Sequence, residues 1–436
     1  MCVCATTLVN QSKEYLSMSF GALGLCEELL KTVAEQGYTK PSPIQIKAIP
    51  AVLSGRDVMA VANTGTGKTA GFTLPVVQLL SGGANMDAPT LQANCVRALV
   101  ITPTRELAAQ VADNVKNYSR LLNIRSAAVF GGVRIEPQIA ELQAGVDVLV
   151  ATPGRLLDLY NQQAINFDQL EILVLDEADR MLDLGFIDDI HHIQKLLPNT
   201  RQTLMFSATF SNEIKSLARG MLNSPVLIDV AAANSTVDKV KQKLHPVDKS
   251  RKGEVLIHLI KKNKWRQVLV FSRTKQGADS LVAVLEKAGI SAASIHANRT
   301  QHARTLALDG FKNGNVKILV ATDIASRGID VNQLPCVVNF DLPYVPEDYV
   351  HRIGRTGRAG TFGLAISLFS EDESKQLKSI EALIGHKFER EIISGFAPNK
   401  QAETGSTDED LYGNFEADAK PQRRGQSKGR GRRGGN

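Results

Sequence analysis

The sequence predicts an α/β protein made of two tandem parallel-sheet domains of similar build. Three observations carry this prediction. Between Val96 and Thr209, apolar β-branched stretches alternate with helical ones, and VRALVITPT, VDVLVATPG, LEILVLDEAD and QTLMFSAT each end in small or polar residues. The same rhythm resumes after Lys264 with RQVLVFSRT, VKILVATDIA, CVVNFDLP and GLAISLFS. Between the two halves lies AAANSTVDK, Ala231 to Lys239, whose small polar composition suits a flexible hinge linker. Continuous apolar strands separated by helices belong to a sheet buried on both faces. Such sheets bind ligands at the carboxyl ends of their strands, which is where the unusual residues of this chain lie.

Taken in chain order, residues 1–17 read as a leader or as residues upstream of the natural start, since Met18-Ser19-Phe20 looks like a beginning. Residues 18–46 lead into the first domain, 47–230. The linker 231–239 and the second domain, 240–396, follow. Periodicity stops after Phe396. Residues 397–436, an acidic stretch (Glu403 to Asp418) followed by an Arg/Gly-rich end, read as a disordered tail.

Composition sets limits. The chain of 436 residues is 43% hydrophobic and 22% charged, ordinary for a globular protein. No apolar run approaches the roughly 18 residues of a membrane span. The N-terminus lacks the basic start and apolar core of a signal peptide. Five scattered cysteines suit a reducing, cytoplasmic setting. Cys2 and Cys4 have no Cys/His partner cluster and read as thiols of the leader, not half of a metal site. The formal net charge is +6, but seven of the 51 basic residues fall in Lys420 to Asn436, leaving 44 against 45 acidic ones. A nucleic-acid footprint on the body must therefore be a local patch.

Two phosphate-handling strings lie far apart, each incomplete alone. ANTGTGKT, Ala62 to Thr69, follows the apolar RDVMAVA and precedes the helical AGFTLPVVQLL, the strand–loop–helix context of a phosphate loop. Gly65 and Gly67 let backbone N–H groups approach phosphate oxygens at a helix N-terminus. Lys68 would reach the β- and γ-phosphates, and the Thr69 hydroxyl would ligate Mg²⁺. Ala62 stands where the general pattern has its first glycine. LVLDEAD, Leu173 to Asp179, ends a strand with Asp176, placed to hold Mg²⁺, and Glu177, placed to orient and deprotonate a water. A helix N-cap explains the charge of these carboxylates but not their pairing with a phosphate loop. HRIGRTGR, His351 to Arg358, carries Arg352, Arg355 and Arg358. Gly354 and Gly357 cost a merely solvated helix about 1 kcal/mol each relative to alanine, so arginines aimed at a transferring phosphoryl group are the better reading. The second string would then complete a nucleotide site begun by the first.

With these motifs in this order, the chain from about Phe20 to Phe396 resembles the DEAD-box RNA helicases of superfamily 2, and within them the bacterial RhlE type. The resemblance implies two RecA-like domains and ATP-dependent, non-processive unwinding or remodelling of RNA. It implies ATP and Mg²⁺ as cofactors and a monomer as the working unit. It adds a Q-motif, GYTKPSPIQ, in which Gln45 reads adenine with Tyr38 beside the base and Phe20 supporting the pocket. Within the phosphate loop, Asn63, Thr64 and Thr66 join the residues already named as nucleotide contacts. Ser207 and Thr209 of SAT would couple hydrolysis to domain closure through Asp179. RNA-backbone contacts fall on Pro103, Thr104 and Arg105 of PTRELA, on Gly132 of the Gly131–Gly132 doublet, and on Thr152, Pro153, Gly154 and Arg155. In the second domain they fall on Arg273, Gln301, Arg304 and Thr322. Gly328 and Asp330 would lie at the nucleotide, Asp330 on its ribose, and His351, Arg355 and Arg358 would face the γ-phosphate. Two departures stand out: Ala297 replaces the family's usual glycine, and Ser42 its commoner threonine.

Aromatics are only 5% of the chain, so no extended base-stacking platform is evident, and RNA binding should be largely sequence-independent and salt-sensitive. The Arg/Gly tail reads as an RNA tether. An ATP-gated RNA clamp needs the same motifs as a helicase; a DNA helicase of the same superfamily fits the Q-motif and the DEAD tetrad less well. Ribosome assembly and mRNA turnover are the settings the resemblance suggests.

Overall fold

The computed structural model describes residues 18–62, 65–82, 91–230, 240–326, 331, 334–357 and 363–398. The leader 1–17, the hinge Ala231–Lys239 and the tail beyond residue 398 lie outside them. So do five residues expected at the nucleotide: Asn63, Thr64, Gly328, Asp330 and Arg358.

Two wholly parallel sheets form the frame. The first holds β1 (Val58–Val61), β2 (Val96–Ile101), β3 (Ser126–Val129), β4 (Val146–Ala151), β5 (Ile172–Leu175), β6 (Gln202–Ser207) and β7 (Val226–Asp229), in the order β3-β4-β2-β5-β6-β1-β7. The second holds β8 (Val240–Pro246), β9 (Val268–Phe271), β10 (Ala292–Ile295), β11 (Ile318–Ala321), β12 (Cys336–Asn339) and β13 (Gly363–Phe369), in the order β10-β11-β9-β12-β13-β8.

Burial follows from the apolar runs. In β2, Ala98 and Val100 face one hydrophobic cluster while Leu99 and Ile101 face another, so helices must cover both sides of the sheet. Each of the larger side chains among these, Leu99, Val100 and Ile101, contributes about 1.5–3 kcal/mol when taken out of water. The second sheet is likewise sandwiched, with Val268 and Val270 on one face and Leu269 and Phe271 on the other.

Strand order sorts the motifs. β1, β5 and β6 are neighbours, which brings together the ends carrying the phosphate loop, Asp176–Glu177 and Ser207. β3, β4 and β2 form the other half of the edge, with Gly131–Gly132, Thr152 and Thr104 at their ends. Polar residues at these ends start the next helices. The Thr104 hydroxyl accepts from Leu107 N–H at 3.3 Å, Thr274 from Gly277 at 2.9 Å and Thr300 from Ala303 at 3.2 Å. Among the described residues no helix is long and apolar enough to cross a membrane.

Candidate active site

Lys68 is the first residue of the helix Lys68–Leu80, and Gly67, at φ +91°, is its N-cap. Only glycine takes that conformation without strain, and a side chain there would also collide with the Gln45 amide, 2.5 Å from Nε2. Lys68 is 6% exposed, and its Nζ has no hydrogen-bond partner among the described residues. A buried, unpaired ammonium at a helix N-terminus is costly unless an anion arrives. Beside it, Asp176 is buried at the end of β5. Burial pushes its carboxyl up to about 7, while Lys68 pulls it down. Asp176 Oδ1 accepts from Glu177 N–H at 3.0 Å.

Glu177 has φ +54° and ψ +52°, a left-handed backbone that a non-glycine residue adopts under strain. The turn starts the helix Ala178–Asp183 and places Glu177 at the strand end. Asp179 Oδ2 accepts from Ala208 N–H at 3.1 Å and Thr209 N–H at 3.0 Å, so the SAT segment is tied to the DEAD segment through its main chain. Ser207 Oγ accepts from Thr209 N–H at 3.3 Å.

Gln45 is buried and doubly engaged. Its Oε1 accepts from Ser42 N–H at 2.8 Å and its Nε2 donates to the Gly67 carbonyl at 3.1 Å. An amide has two donors and two lone pairs, so one of each is left for a base. Gln45 thus also props the phosphate loop, a role the sequence did not suggest. Phe20 lies in the first-domain core, and Tyr38 is exposed.

The second domain meets this site. Glu177, Asp179, Arg180, Asp183 and Ala208 line a crevice whose opposite wall is His351 and Arg355. Arg352 and Arg355 of HRIGRTGR are placed differently. Arg352 is buried, with Nε and NH2 on the two oxygens of Asp323 at 2.5 and 2.7 Å and NH1 on the Asp341 carbonyl at 2.6 Å. It ties the helix Pro346–Ile353 to the end of β11, leaving Arg355 at the crevice.

A phosphate loop and carboxylate pair in one sheet thus meet a histidine and an arginine supplied by the other. The model of the DEAD/DEAH box helicase family matches residues 42–217, and that of the helicase conserved C-terminal domain matches residues 251–360. The DEAD-box ATP-dependent RNA helicase RhpA of Helicobacter pylori is 41% identical over 375 residues, covering 86% of this chain and 74% of RhpA. This chain belongs to the DEAD-box ATP-dependent RNA helicases. The helicase is also similar to the ATP-dependent RNA helicase RhlB of Pseudomonas syringae, at 39% identity over 84% of this chain and 93% of RhlB. In structure it resembles S. cerevisiae Dbp5 bound to RNA and ADP BeF3, with TM-score 0.76 and 31% identity over 87% of this chain and 95% of that one.

The residues expected on RNA fall into two groups in this helicase. Pro103, Thr104, Thr152, Pro153, Gly154 and Thr322 lie at strand ends or helix starts along one edge of each sheet. Gly132, at φ +78°, leaves room for the Arg105 guanidinium, which packs where a side chain would stand. The second group is held by protein. Arg155, its side chain 9% exposed, donates to Gln138 Oε1 and the Val133 carbonyl, both at 2.9 Å. Arg273 NH2 donates to Glu373 Oε1 at 2.5 Å. Gln301 and Arg304 reach across to the first domain, where Gln301 Nε2 donates to Glu106 Oε1 at 3.0 Å and Arg304 NH2 lies 2.8 Å from Glu106 Oε2. Glu106 lies within PTRELA, where the sequence alone points to no task for it. The available signal was the i, i+3 spacing of Gln301 and Arg304, which puts an amide and a cation on one helix face.

Proposed function

We propose that this helicase hydrolyses ATP at a site completed only when its second domain closes on the first, and that RNA laid along the strand ends of both sheets favours that closure. The observation that carries the reading is the crevice with Glu177 and Asp179 on one wall and His351 and Arg355 on the other. Lys68, buried with no hydrogen-bond partner among the described residues, takes the β- and γ-phosphates. The N–H groups of Gly65 to Thr69 cradle them at the helix N-terminus. Glu177 orients and deprotonates the attacking water. Arg355, and Arg358 beyond the described residues, stabilise charge on the transferring phosphoryl group.

A magnesium ion, when bound, neutralises phosphate charge. Thr69 and Asp176 would hold it, and the buried Asp176 carboxyl fits because a nearby cation favours its charged form. Among the described residues no three metal-ligating side chains gather, so water and phosphate would complete the shell, as magnesium prefers.

On this reading Gln45 selects adenine with Tyr38 beside it. Pro103, Thr104, Arg105, Gly132, Thr152, Gly154 and Thr322 follow the sugar-phosphate, while Arg155 and Arg273 act by holding the loops that do so. Contacts of this kind position a strand without reading its sequence. The work proposed is local strand separation or remodelling of RNA–protein complexes, in the cytoplasm and by a monomer. Ribosome assembly and mRNA turnover are the settings to test, and the motifs support a reading as a helicase of the bacterial RhlE type. ATP turnover measured with and without single-stranded RNA tests the core of the reading. Strong stimulation by RNA is expected; equal turnover with and without RNA contradicts it.

A further inference from the structure

The second domain carries an aromatic side chain that the fold does not use. Tyr344 lies in the loop after β12, and at 68% exposure it is more open than Tyr38 or Phe210, the other aromatics left exposed among the described residues. Leaving such a ring in water forgoes about 1.5–3 kcal/mol of burial, so its place needs another reason. The ring is also oriented. The Arg273 guanidinium carbon lies 4.9 Å from its centroid, and Arg273 is fixed in turn by Glu373 at 2.5 Å and, through its backbone N–H, by Asp341 Oδ2 at 2.8 Å. The ring therefore rests on a fixed cation while most of the residue's surface stays exposed. Val345, also exposed, follows it in the chain.

Position points to the occupant. β12 pairs with β9 and β9 with β11, so Tyr344, Arg273 and Thr322 all follow the carboxyl ends of three adjacent strands. That is the edge along which the proposed RNA path runs, and the inference rests on that reading. A preoriented ring with a cation behind it suits the π-face of a base, any base, because every base has one.

We propose that Tyr344 is a stacking site for one nucleobase at the end of the RNA path on the second domain. It gives the strand a fixed end point without reading its sequence. The absence of an extended stacking platform is then consistent with a single stack.

The test uses the full chain and single-stranded RNA carrying 2-aminopurine at one position at a time. In the unsubstituted protein one terminal position should be quenched on binding, and Tyr344→Ala should abolish that quenching. Tyr344→Ala should raise the RNA concentration for half-maximal ATPase about tenfold, the size of one base–aromatic stack, with the RNA-saturated rate unchanged. Tyr344→Trp should restore both readouts. An abasic nucleotide at the quenched position should weaken binding to the unsubstituted protein and have no further effect on Tyr344→Ala. Thr322→Ala serves as the control for the path. If it weakens RNA binding and Tyr344→Ala does not, the stack alone is overturned and the exposed ring is left to a protein partner. If neither variant weakens RNA binding, the RNA path falls and the stack with it.

Discussion

Glu106 of the first domain and Arg304 of the second face each other across the domain boundary at 2.8 Å, with side chains 6% and 11% exposed. Gln301 takes the other carboxylate oxygen at 3.0 Å. Both domains thus place motif residues in one nearly dry ion pair, where a lost partner is costly. Each residue of the pair touches the other domain, which on the proposed mechanism makes the pair a determinant of closure. Glu106→Gln should raise the RNA concentration for half-stimulation and leave ATP binding without RNA unchanged. Combined with Arg304→Gln it should be non-additive by about 0.5–3 kcal/mol in a double-mutant cycle on that concentration. Additive effects would place the two residues in separate roles.

Lys68→Ala should abolish hydrolysis and weaken nucleotide binding, since it removes the buried cation of the phosphate loop. Glu177→Gln keeps the shape of the turn and Asp176 but removes the base, so ATP and RNA should stay bound in a slowly turning-over complex. RNA binding in the presence of ATP separates the two. Equal loss in both variants would refute the division of roles.

Gln45→Ala should raise the KM for ATP and narrow the preference for ATP over GTP. Guanine presents the opposite donor and acceptor pattern to the amide. The bond from Gln45 Nε2 to the Gly67 carbonyl adds a second effect: its loss should loosen the phosphate loop by about 1 kcal/mol, felt with either nucleotide. Parallel competition assays with ATP and GTP read both. An unchanged ratio would remove Gln45 from the base.

In the second domain, Lys252 and Glu373, each 1% exposed, pair at 2.7 Å, and Lys252 also donates to the Phe340 carbonyl at 2.9 Å. Lys252→Met leaves Glu373 with a buried charge short of one partner and should cost about 3–5 kcal/mol. Trp265 is the one tryptophan of the chain and packs on this domain's core, so its fluorescence during urea unfolding reports the loss. A shift of the midpoint worth less than about 1 kcal/mol would mean that water reaches the pair.

Much of this was legible in the sequence, for identifiable reasons. The strands announced themselves because parallel strands covered on both faces must be continuously apolar, as VRALVI and VDVLVA are. Lys68, Asp176 and Glu177 stand out in the sequence because phosphate chemistry calls for those residue types at that local spacing, and their strands β1 and β5 end on the same edge of one sheet. The order of strands was not, since periodicity names strands and not their neighbours. The fates of Arg352 and Arg355 were not legible either: they sit three residues apart in one string, and only tertiary contact with Asp323 decides that the first is structural. Arg155 and Arg273 are expected on RNA by resemblance, and their protein partners Gln138 and Glu373 were not legible because they come from other parts of the chain. Glu106 escaped notice because its partners are 195 and 198 residues away in the sequence.

The central claim is that the second domain completes the ATP site. The most direct measurement is ATP turnover at saturating RNA for the full chain carrying Arg355→Ala, alongside its ATP affinity without RNA. The account predicts a loss of RNA-stimulated turnover on the order of 10³-fold or more, the scale of an arginine that stabilises phosphoryl transfer, with ATP affinity within a few-fold of the unsubstituted protein. RNA-stimulated turnover at the unsubstituted rate would contradict it.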